Sequence, residues 1–390
     1  MRASKAIAAT AAAVGSIMLA ACGSSGSSSS TAAAGSPASG SAAAVSSCDW
    51  ATATSAASCG GMNALVAAAR KEGHLNVITL PADWANYGTI MKDFTARYGI
   101  QITDENPDGT SQDELNAIQQ TKGQSRAPDV VDVGTAFAAK GQQEGLWAPY
   151  EVATWNDIPA SQKDPNGNYY ADYGGYVAIG YDSSRVKTPP TSFKSLLSPQ
   201  YHNMVALNGS PTQAGAAFAG VYAAALASGG SFSDIAPGVA YFKQLKQAGN
   251  FVPVTGSATT MESGQTPVLI WWDYLLASEV GASYKNLKIV IPSDARYASY
   301  YDQAVSKYAP DPAAARLWEE FLYSAEGQNL WLEGGTRPVE LQTLVASGTE
   351  DKKAYDALPQ VPAGGVTFPT IAQQNAAENV VAQQWPGVSG

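Results

Sequence analysis

From residue 62 onward, the chain alternates short apolar runs with segments of helical period, and this alternation constrains the fold more than any other feature. The segment MNALVAAARKEG places apolar residues on one helical face and stops at Gly73, and HLNVITL then has the pattern of a strand. The same order recurs in IMKDFTARYG with IQIT, and in DELNAIQQTKG with APDVVDVG. Strand–helix alternation at these spacings predicts an α/β fold with a parallel sheet.

Aromatic and polar residues follow the first and third of these predicted strands. The stretch LPADWANYG, residues 80–88, places Asp83, Trp84 and Tyr87 directly after the first strand, and VGTAF follows the third. Ligands of open α/β sheets bind beyond the carboxyl ends of the strands, so these residues are expected near a ligand cleft. Asp83 itself is well placed to cap the helix that follows.

The charge balance and the motifs limit the classes of function. The chain carries 23 Lys and Arg against 33 Asp and Glu, a net charge of -10, and has no basic cluster, so nucleic-acid binding is not expected. There is no Walker loop, no G-x-S-x-G elbow and no H-E-x-x-H motif, and the two histidines are isolated in the sequence. We therefore predict that the protein is not an enzyme and has no cofactor or metal. A secreted hydrolase stays open as an alternative, because two carboxylates suffice for glycoside hydrolysis.

The N-terminus has the features of an export signal. Arg2 and Lys5 precede the apolar stretch AIAATAAAVGSIMLA, which ends in LAAC at residues 19–22. This ending resembles the bacterial lipobox, and the resemblance implies cleavage after residue 21 and attachment of diacylglycerol to Cys22. Residues 1–21 are thus predicted to be a lipoprotein signal peptide, and residues 22–60 to hold the lipidated cysteine, a Ser/Gly/Ala tether and a short cysteine loop. The predicted location is the extracytoplasmic face of the cell membrane, with lipid anchoring.

Cys48 and Cys59 are the two cysteines that remain after the predicted anchor. An even pair at this spacing in an exported protein predicts a disulfide. The alternative of a metal or redox pair has little support, because there is no C-x-x-C and His74 is the only histidine nearby.

The order of lipobox, tether and α/β segment resembles the solute-binding proteins of bacterial ABC importers. The segments LVAAARKEGHLNVIT, IGYDSSRVKTPPTSFKSLLSPQYHNMVAL and KYAPDPAAARLWEEFLYSAEGQNLWLEGGTRPV carry the resemblance, which covers most of residues 62–340. It implies the type II periplasmic-binding fold, with two lobes, a hinge and a ligand cleft between the lobes. The implied partners are a small-molecule ligand and the permease subunits of an importer, and the implied state is a monomer. The predicted lobes are 61–175 plus about 300–350, and 176–299 plus about 351–390.

Within this group, the polyamine-binding branch has the most similar site pattern. The resemblance implies that aromatic rings and carboxylates surround an organic cation. The implied ligand-binding residues are Trp84 and Tyr87 from the W-x-x-Y motif, Phe137 after the third strand, Trp272 and Asp273 in IWWD, and Tyr300 and Asp302 in YYD.

Two departures keep other ligands open. Polyamine binders have acidic residues after the strand that here continues as LNGSPTQAG, which offers no carboxylate. Ferric-binding relatives use adjacent tyrosines, which Tyr300, Tyr301 and Tyr274 could supply, but Trp271 and Trp272 stand where the relatives have that pair. A phosphonate or a sugar also stays open as a ligand, as does a sensory lipoprotein as a different class of protein.

Overall fold

The structure is a computed structural model, and it describes residues 48–363 and 368–389. The predicted signal peptide, the lipidation site at Cys22 and the tether lie outside the described residues. In the described part of the chain, no helix combines the length and the apolar character that crossing a membrane requires.

Nine strands are present in the described part of the chain. They are β1 His74–Ile78, β2 Gln101–Glu105, β3 Val130–Gly134, β4 Tyr170–Asp182, β5 Val205–Leu207, β6 Val268–Trp272, β7 Leu287–Val290, β8 Ala298–Val305 and β9 Arg337–Pro338.

Fourteen α-helices accompany these strands over the same described residues. They are α1 Met62–Glu72, α2 Tyr87–Tyr98, α3 Ser111–Thr121, α4 Thr135–Gln143, α5 Gly215–Ala227, α6 Ala236–Gln247, α7 Ala258–Glu262, α8 Asp273–Leu275, α9 Pro312–Leu322, α10 Ala325–Glu333, α11 Leu341–Ser347, α12 Lys352–Ala357, α13 Ile371–Gln384 and α14 Pro386–Ser389.

The sheets are mixed and not purely parallel, which corrects the expectation of a parallel sheet. Strands β1 and β2 form a parallel pair, and β5 is parallel to β6. In the seven-stranded sheet, with the order β3-β8-β4-β6-β5, strand β8 runs antiparallel to both β3 and β4, and β4 runs antiparallel to β6. The reason is that β8 comes from a distant part of the chain and inserts between β3 and β4 in the opposite direction.

Strand β4 joins the two halves of this sheet. Its first part pairs with β8, and from Val177 onward it pairs with β6. Gly174 and Gly175 lie just before this change of partner, at the lobe boundary predicted from the sequence. A Cβ atom on Gly174 would lie 2.1 Å from the backbone oxygen of Ser299, and one on Gly175 would lie 2.4 Å from Oδ1 of Asp273. Glycine is therefore needed at these positions, because the neighbouring strand and helix approach the backbone too closely for a side chain.

Large aromatic side chains fill the core on both sides of the sheet. Trp147, Trp318 and Trp331 are all buried. The C-terminal helix α13 packs against α4 and α6. Trp385 at its end contacts Phe242 of α6, with ring centroids 5.4 Å apart.

Cys48 and Cys59 form a disulfide, with Cα atoms 5.4 Å apart. The loop that they close is held on α9 by the buried Arg316, which donates from Nε to the carbonyl oxygen of Ala53 and from Nη2 to that of Ala51. The cysteine loop therefore forms part of the folded domain.

Candidate ligand-binding site

Three neighbouring strands bring polar side chains together inside the sheet. Asp132 of β3 lies directly opposite Gln303 of β8 in the antiparallel register. Gln303 Nε2 donates to Oδ2 of Asp172 on β4, at 2.9 Å. One carboxylate on each outer strand thus flanks an amide on the central strand, and all three side chains are buried.

Two tyrosine hydroxyls and a glutamate from helix α3 complete the hydrogen-bond network around Asp132. Tyr87 donates to Oδ2 of Asp132 at 2.7 Å, and Tyr173 donates to the same oxygen at 3.0 Å. Gln303 Nε2 also donates to the hydroxyl of Tyr87 at 3.1 Å. Glu114 of α3 accepts the backbone N–H of Asp132 through Oε2, at 3.2 Å. We call Glu114, Asp132, Asp172 and Gln303 the acid cluster.

The carboxylates of the acid cluster carry no compensating positive charge. Burial raises the pKa of Glu114 well above its ordinary value, and the negative charge of Asp132 raises it further. Burial also raises the pKa of Asp132 and Asp172, which interact strongly with each other. Among the described residues, no Lys, Arg or His forms an ion pair with any of these three carboxylates. The cluster is therefore a group of buried acids without a basic partner, in which ionisation is costly.

Aromatic rings adjoin the acid cluster. Tyr173 stacks on Tyr301 at 5.7 Å and meets the edge of Tyr274 at 5.9 Å. Trp84 contacts Tyr274 and Tyr301 edge to face, at 6.4 and 5.9 Å, and its Nε1 donates to the hydroxyl of Tyr173 at 2.6 Å. Trp272 extends the row by stacking on Tyr274 at 6.4 Å. These five rings, of Trp84, Tyr173, Trp272, Tyr274 and Tyr301, form a wall beside the carboxylates, which we call the ring wall.

Several buried polar atoms of this region lack a hydrogen-bond partner in the described structure. They are Oε1 of Glu114, Oδ1 of Asp132, Oε1 of Gln303, the hydroxyl of Tyr274 and Nε1 of Trp272. Buried polar atoms are nearly always paired in folded proteins, so a concentration of unpaired ones indicates a site that a ligand or water completes.

The structure brings together only part of the residue set that the resemblance implies. Trp84 and Trp272 lie in the ring wall, and Tyr87 donates a hydrogen bond to Asp132 of the acid cluster. Tyr300 and Asp302 alternate along β8 with Tyr301 and Gln303, so they lie on the other face of the strand.

On that other face, the ring of Tyr300 lies 5.8 Å from that of Phe368. Burial raises the pKa of Asp302 to about 7, and one of its carboxylate oxygens has no partner among the described residues. Phe137 is half-buried and packs against a separate apolar cluster beneath α4. These three residues therefore lie apart from the ring wall.

Asp273 is engaged inside the protein. Its Oδ2 forms an ion pair with Nη1 of Arg337, and its Oδ1 accepts the backbone N–H of Tyr176 at 2.9 Å. Both carboxylate oxygens thus have partners before any ligand binds.

Asp83 is exposed and does not cap α2. The chain makes a turn in which Trp84 N–H donates to the Pro81 carbonyl, and the helix begins only at Tyr87.

The members of the acid cluster are not among the site residues predicted from the sequence. A signal was present for Asp132, which interrupts the apolar strand VVDVG, since an unpaired carboxylate in a buried strand is costly without a functional reason. Glu114 lies on an ordinary amphipathic helix, and Gln303 follows YYD without any motif. Only the pairing of β3 with β8 shows that these residues meet.

Metal binding has weaker geometric support. No group of three or more His, Cys, Asp or Glu side chains within the described residues is arranged to hold a metal ion. Burial raises the pKa of Tyr274 and of Tyr301 well above 10, so formation of the phenolates that ferric iron prefers is disfavoured there.

Two surface depressions, of about 320 and 250 Å³, lie elsewhere. The first is beside α6 and the second is beside β2 and α3, and neither is lined by the acid cluster or the ring wall. Their linings lack the combination of buried carboxylates and rings, so we place the candidate site at the acid cluster.

The family described as "Bacterial extracellular solute-binding protein" matches residues 125–360, more than half of the chain. The chain belongs to this family. It is an extracellular solute-binding protein, a class of non-enzymatic transport components.

Solved structures of periplasmic binding proteins share the fold. The chain is similar to AfuA from Actinobacillus pleuropneumoniae with fructose-6-phosphate bound, at 18% identity and a TM-score of 0.61, over 81% of this chain and 98% of that one. It is also similar to iron-bound HitA from Pseudomonas aeruginosa, at 19% identity and a TM-score of 0.59, over 81% and 99% of the two chains.

A third similar structure is the spermidine/putrescine substrate-binding protein PotD from Streptococcus pneumoniae. It has 16% identity and a TM-score of 0.57, over 81% of this chain and 99% of that one. At these identities the likeness shows the two-lobe type II periplasmic-binding fold, and the three proteins differ in what their names say they bind.

Proposed function

We propose that this receptor binds a small organic cation of the amine class and delivers it to an ABC importer. The observation that carries the proposal is the acid cluster, whose buried carboxylates have no basic partner among the described residues and adjoin a wall of rings. An anionic ligand would add repulsion at this place, whereas a cation would relieve it.

The energetics favour a cation over a neutral solute. Each carboxylate is held towards its protonated form by burial, so a cation that enters stabilises the ionised form and gains charge-assisted hydrogen bonds. Each ring that faces the cation contributes roughly 0.5–2 kcal/mol when water is excluded. Trp84 and Tyr301 are partly exposed, so they are the rings that an entering ligand meets first.

Calorimetric titration of the full chain tests the proposal. The ligands are putrescine, fructose-6-phosphate and ferric citrate, chosen as a cation, an anion and an iron source. We expect putrescine to bind and to be recovered unchanged, and small-angle scattering to show a smaller radius of gyration with ligand, because a ligand that contacts both lobes favours the closed state. Binding of the phosphate or of iron without binding of putrescine would contradict the proposal.

Two isosteric variants locate the site. Asp132→Asn should weaken amine binding by about 2–5 kcal/mol, since it removes a buried charge partner. Asp302→Asn, on the opposite face of β8, should change it little. The reverse result would move the site to the face that the sequence resemblance implied.

The membrane anchor is a separate part of the proposal. We propose that Cys22 carries the lipid, on the support of the LAAC motif at residues 19–22, and that the receptor acts as a monomer on the extracytoplasmic face of the membrane. The Cys22→Ala variant should appear in the soluble fraction or as an uncleaved precursor. Normal processing and membrane retention of this variant would contradict the anchor.

A further inference from the structure

The C-terminal helices α13 and α14 lie beyond the part of the chain that matches the solute-binding family. That match ends at residue 360, whereas α13 begins at Ile371. Ala377, Val381 and Trp385 are nevertheless buried, and they recur at every fourth position. This spacing places them in one stripe along the helix. The C-terminal extension is therefore a packed part of the folded domain.

The sheet has two halves, and each half carries its own helices. In the first half, α4 packs against β3 and β8. In the second half, which begins where β4 changes its partner, α5 packs against β6, and α6 packs against α5. Helix α13 contacts both α4 and α6. It therefore connects the two halves at a place other than the strands that they share.

Contacts at both ends attach α13 to the second half. Near its start, the carbonyl oxygen of Gln373 accepts the hydroxyl of Tyr222 on α5 at 3.0 Å, and Nε2 of Gln373 donates to the hydroxyl of Ser233 at 2.9 Å. Directly after its end, the buried ring of Trp385 lies 5.4 Å from that of Phe242 on α6. Because both ends are held, α13 should move together with the second half.

A charge pair and a ring contact lie between this segment and the first half. Desolvation raises the pKa of Glu378 in α13, and the positive charge of Lys140 on α4 opposes that rise. Just before α13, the ring of Phe368 lies 5.8 Å from that of Tyr300 on β8. Glu378 is at the surface, where an ion pair contributes little, so this side of α13 is held less firmly than the side anchored by Trp385.

A row of stacked rings leads from α13 to the ring wall. Tyr222, whose hydroxyl is bonded to Gln373, stacks on Tyr297 with ring centroids 5.4 Å apart. Tyr297 in turn stacks on Trp272 of the ring wall at 6.4 Å. The attachment of α13 to the second half is therefore continuous with the candidate site.

We infer that α13 is a brace that limits how far the two halves of the receptor move apart. Domain closure in two-lobe binding proteins is a hinge movement about the segments that join the lobes, and here β4 joins the halves. A helix that is anchored in one half and contacts the other adds to the free energy of opening, because opening must break one set of its contacts. The contacts with α4 are the weaker set, so α13 should separate from α4 while Trp385 stays in place.

Two adjacent alanines of α13 provide a matched pair of variants. Ala377 is 4% exposed, whereas Ala376 is exposed to solvent. Ala377→Arg forces a long side chain into the packed face and should displace the helix, because well-packed sites do not accommodate added volume. Ala376→Arg adds the same residue and charge on the solvent side, so it should leave the packing intact.

Spin labels on the two halves measure their separation without depending on the position of α13. Gln120 on α3 and Gln247 on α6 are exposed, and both are replaced by labelled cysteines. The full chain carries Cys22→Ala, so that the introduced cysteines are the only free thiols. Without ligand, the label distances should shift to longer values in Ala377→Arg and should be those of the unbraced reference-free parent in Ala376→Arg.

A charge exchange tests the contact with α4 and leaves the packed face unchanged. Glu378→Lys places two positive charges opposite each other and should raise the ratio of long to short label distances about 2- to 5-fold. Adding Lys140→Glu restores an opposite pair and should return the distances to those of the parent. Asn379→Lys is the control, because Asn379 is exposed and its side chain donates within α13, to the carbonyl of Asn375 at 3.0 Å.

Thermal unfolding of each variant checks that it is folded. Parent-like distances in a folded Ala377→Arg would overturn the brace, and if that variant does not fold, parent-like distances in Glu378→Lys would do so. An equal shift in Asn379→Lys and Glu378→Lys would also overturn it, because the contact with α4 would then not matter. These measurements use no ligand, so their outcome is independent of whether the receptor binds an amine.

Discussion

The ion pair between Asp273 and Arg337 joins the end of β6 to β9 and supports a sharp prediction. Asp273 is fully buried, and Arg337 is 8% exposed. Arg337 also donates from Nη2 to the Pro359 carbonyl at 2.9 Å, and its guanidinium lies 4.8 Å from the ring centroid of Tyr176. Replacing Arg337 by Met removes these contacts and leaves a buried carboxylate without its partner.

The expected cost of Arg337→Met is about 3–5 kcal/mol at pH 8, which is the usual penalty for breaking a buried pair. The cost depends on pH. Burial already raises the pKa of Asp273, and Arg337 opposes that rise, so without Arg337 the pKa of Asp273 in the folded state increases further. A group whose folded-state pKa is raised contributes less stability as pH rises through that pKa, so the variant should lose less at pH 5, where Asp273 takes up a proton.

Urea unfolding at pH 5 and pH 8 measures both effects, with Asp273→Asn/Arg337→Met as the control. The double variant has no charge to bury and keeps an oxygen for the N–H of Tyr176, so it should recover part of the loss. Equal losses at both pH values, or a double variant no more stable than Arg337→Met at pH 8, would refute the reasoning.

Three further predictions concern the core and the buried acids. Trp385→Ala should cost about 3–5 kcal/mol in denaturant unfolding, because its buried ring attaches the C-terminal helices to α6, and an unchanged midpoint would contradict that role. Gly174→Ala should cost about 3 kcal/mol, since its Cβ would lie 2.1 Å from the Ser299 oxygen, whereas Gly215→Ala, with nothing within 4 Å, is the control and should unfold as wild type does. Burial raises the pKa of Glu319 from 4.5 to about 8, so ligand-free stability should fall as pH rises through this window. In Glu319→Gln, the urea midpoint should decrease less between pH 4.5 and 8.5 than it does in the wild type. An unchanged decrease would mean that other groups cause the pH dependence of stability.

The sequence by itself determined the class of fold and of protein. Apolar periodicity identifies the elements that bury a surface, and that periodicity is visible locally in segments such as HLNVITL and MNALVAAARKEG. The family resemblance added the two-lobe fold and the solute-binding role. The rings of Trp84 and Tyr87 drew attention to the loop after β1, and both lie in or beside the acid cluster.

Only the tertiary structure decided which chemical groups meet. Glu114, Asp132 and Gln303 are far apart in the chain, and nothing local specifies that β8 inserts antiparallel between β3 and β4. The same strand pairing places Gln303 and Tyr301 on one face of β8 and Asp302 and Tyr300 on the other, because side chains alternate along a strand. A motif such as YYD shows that rings and a carboxylate are present. The direction in which each points depends on strand register, which is set by packing across the whole sheet.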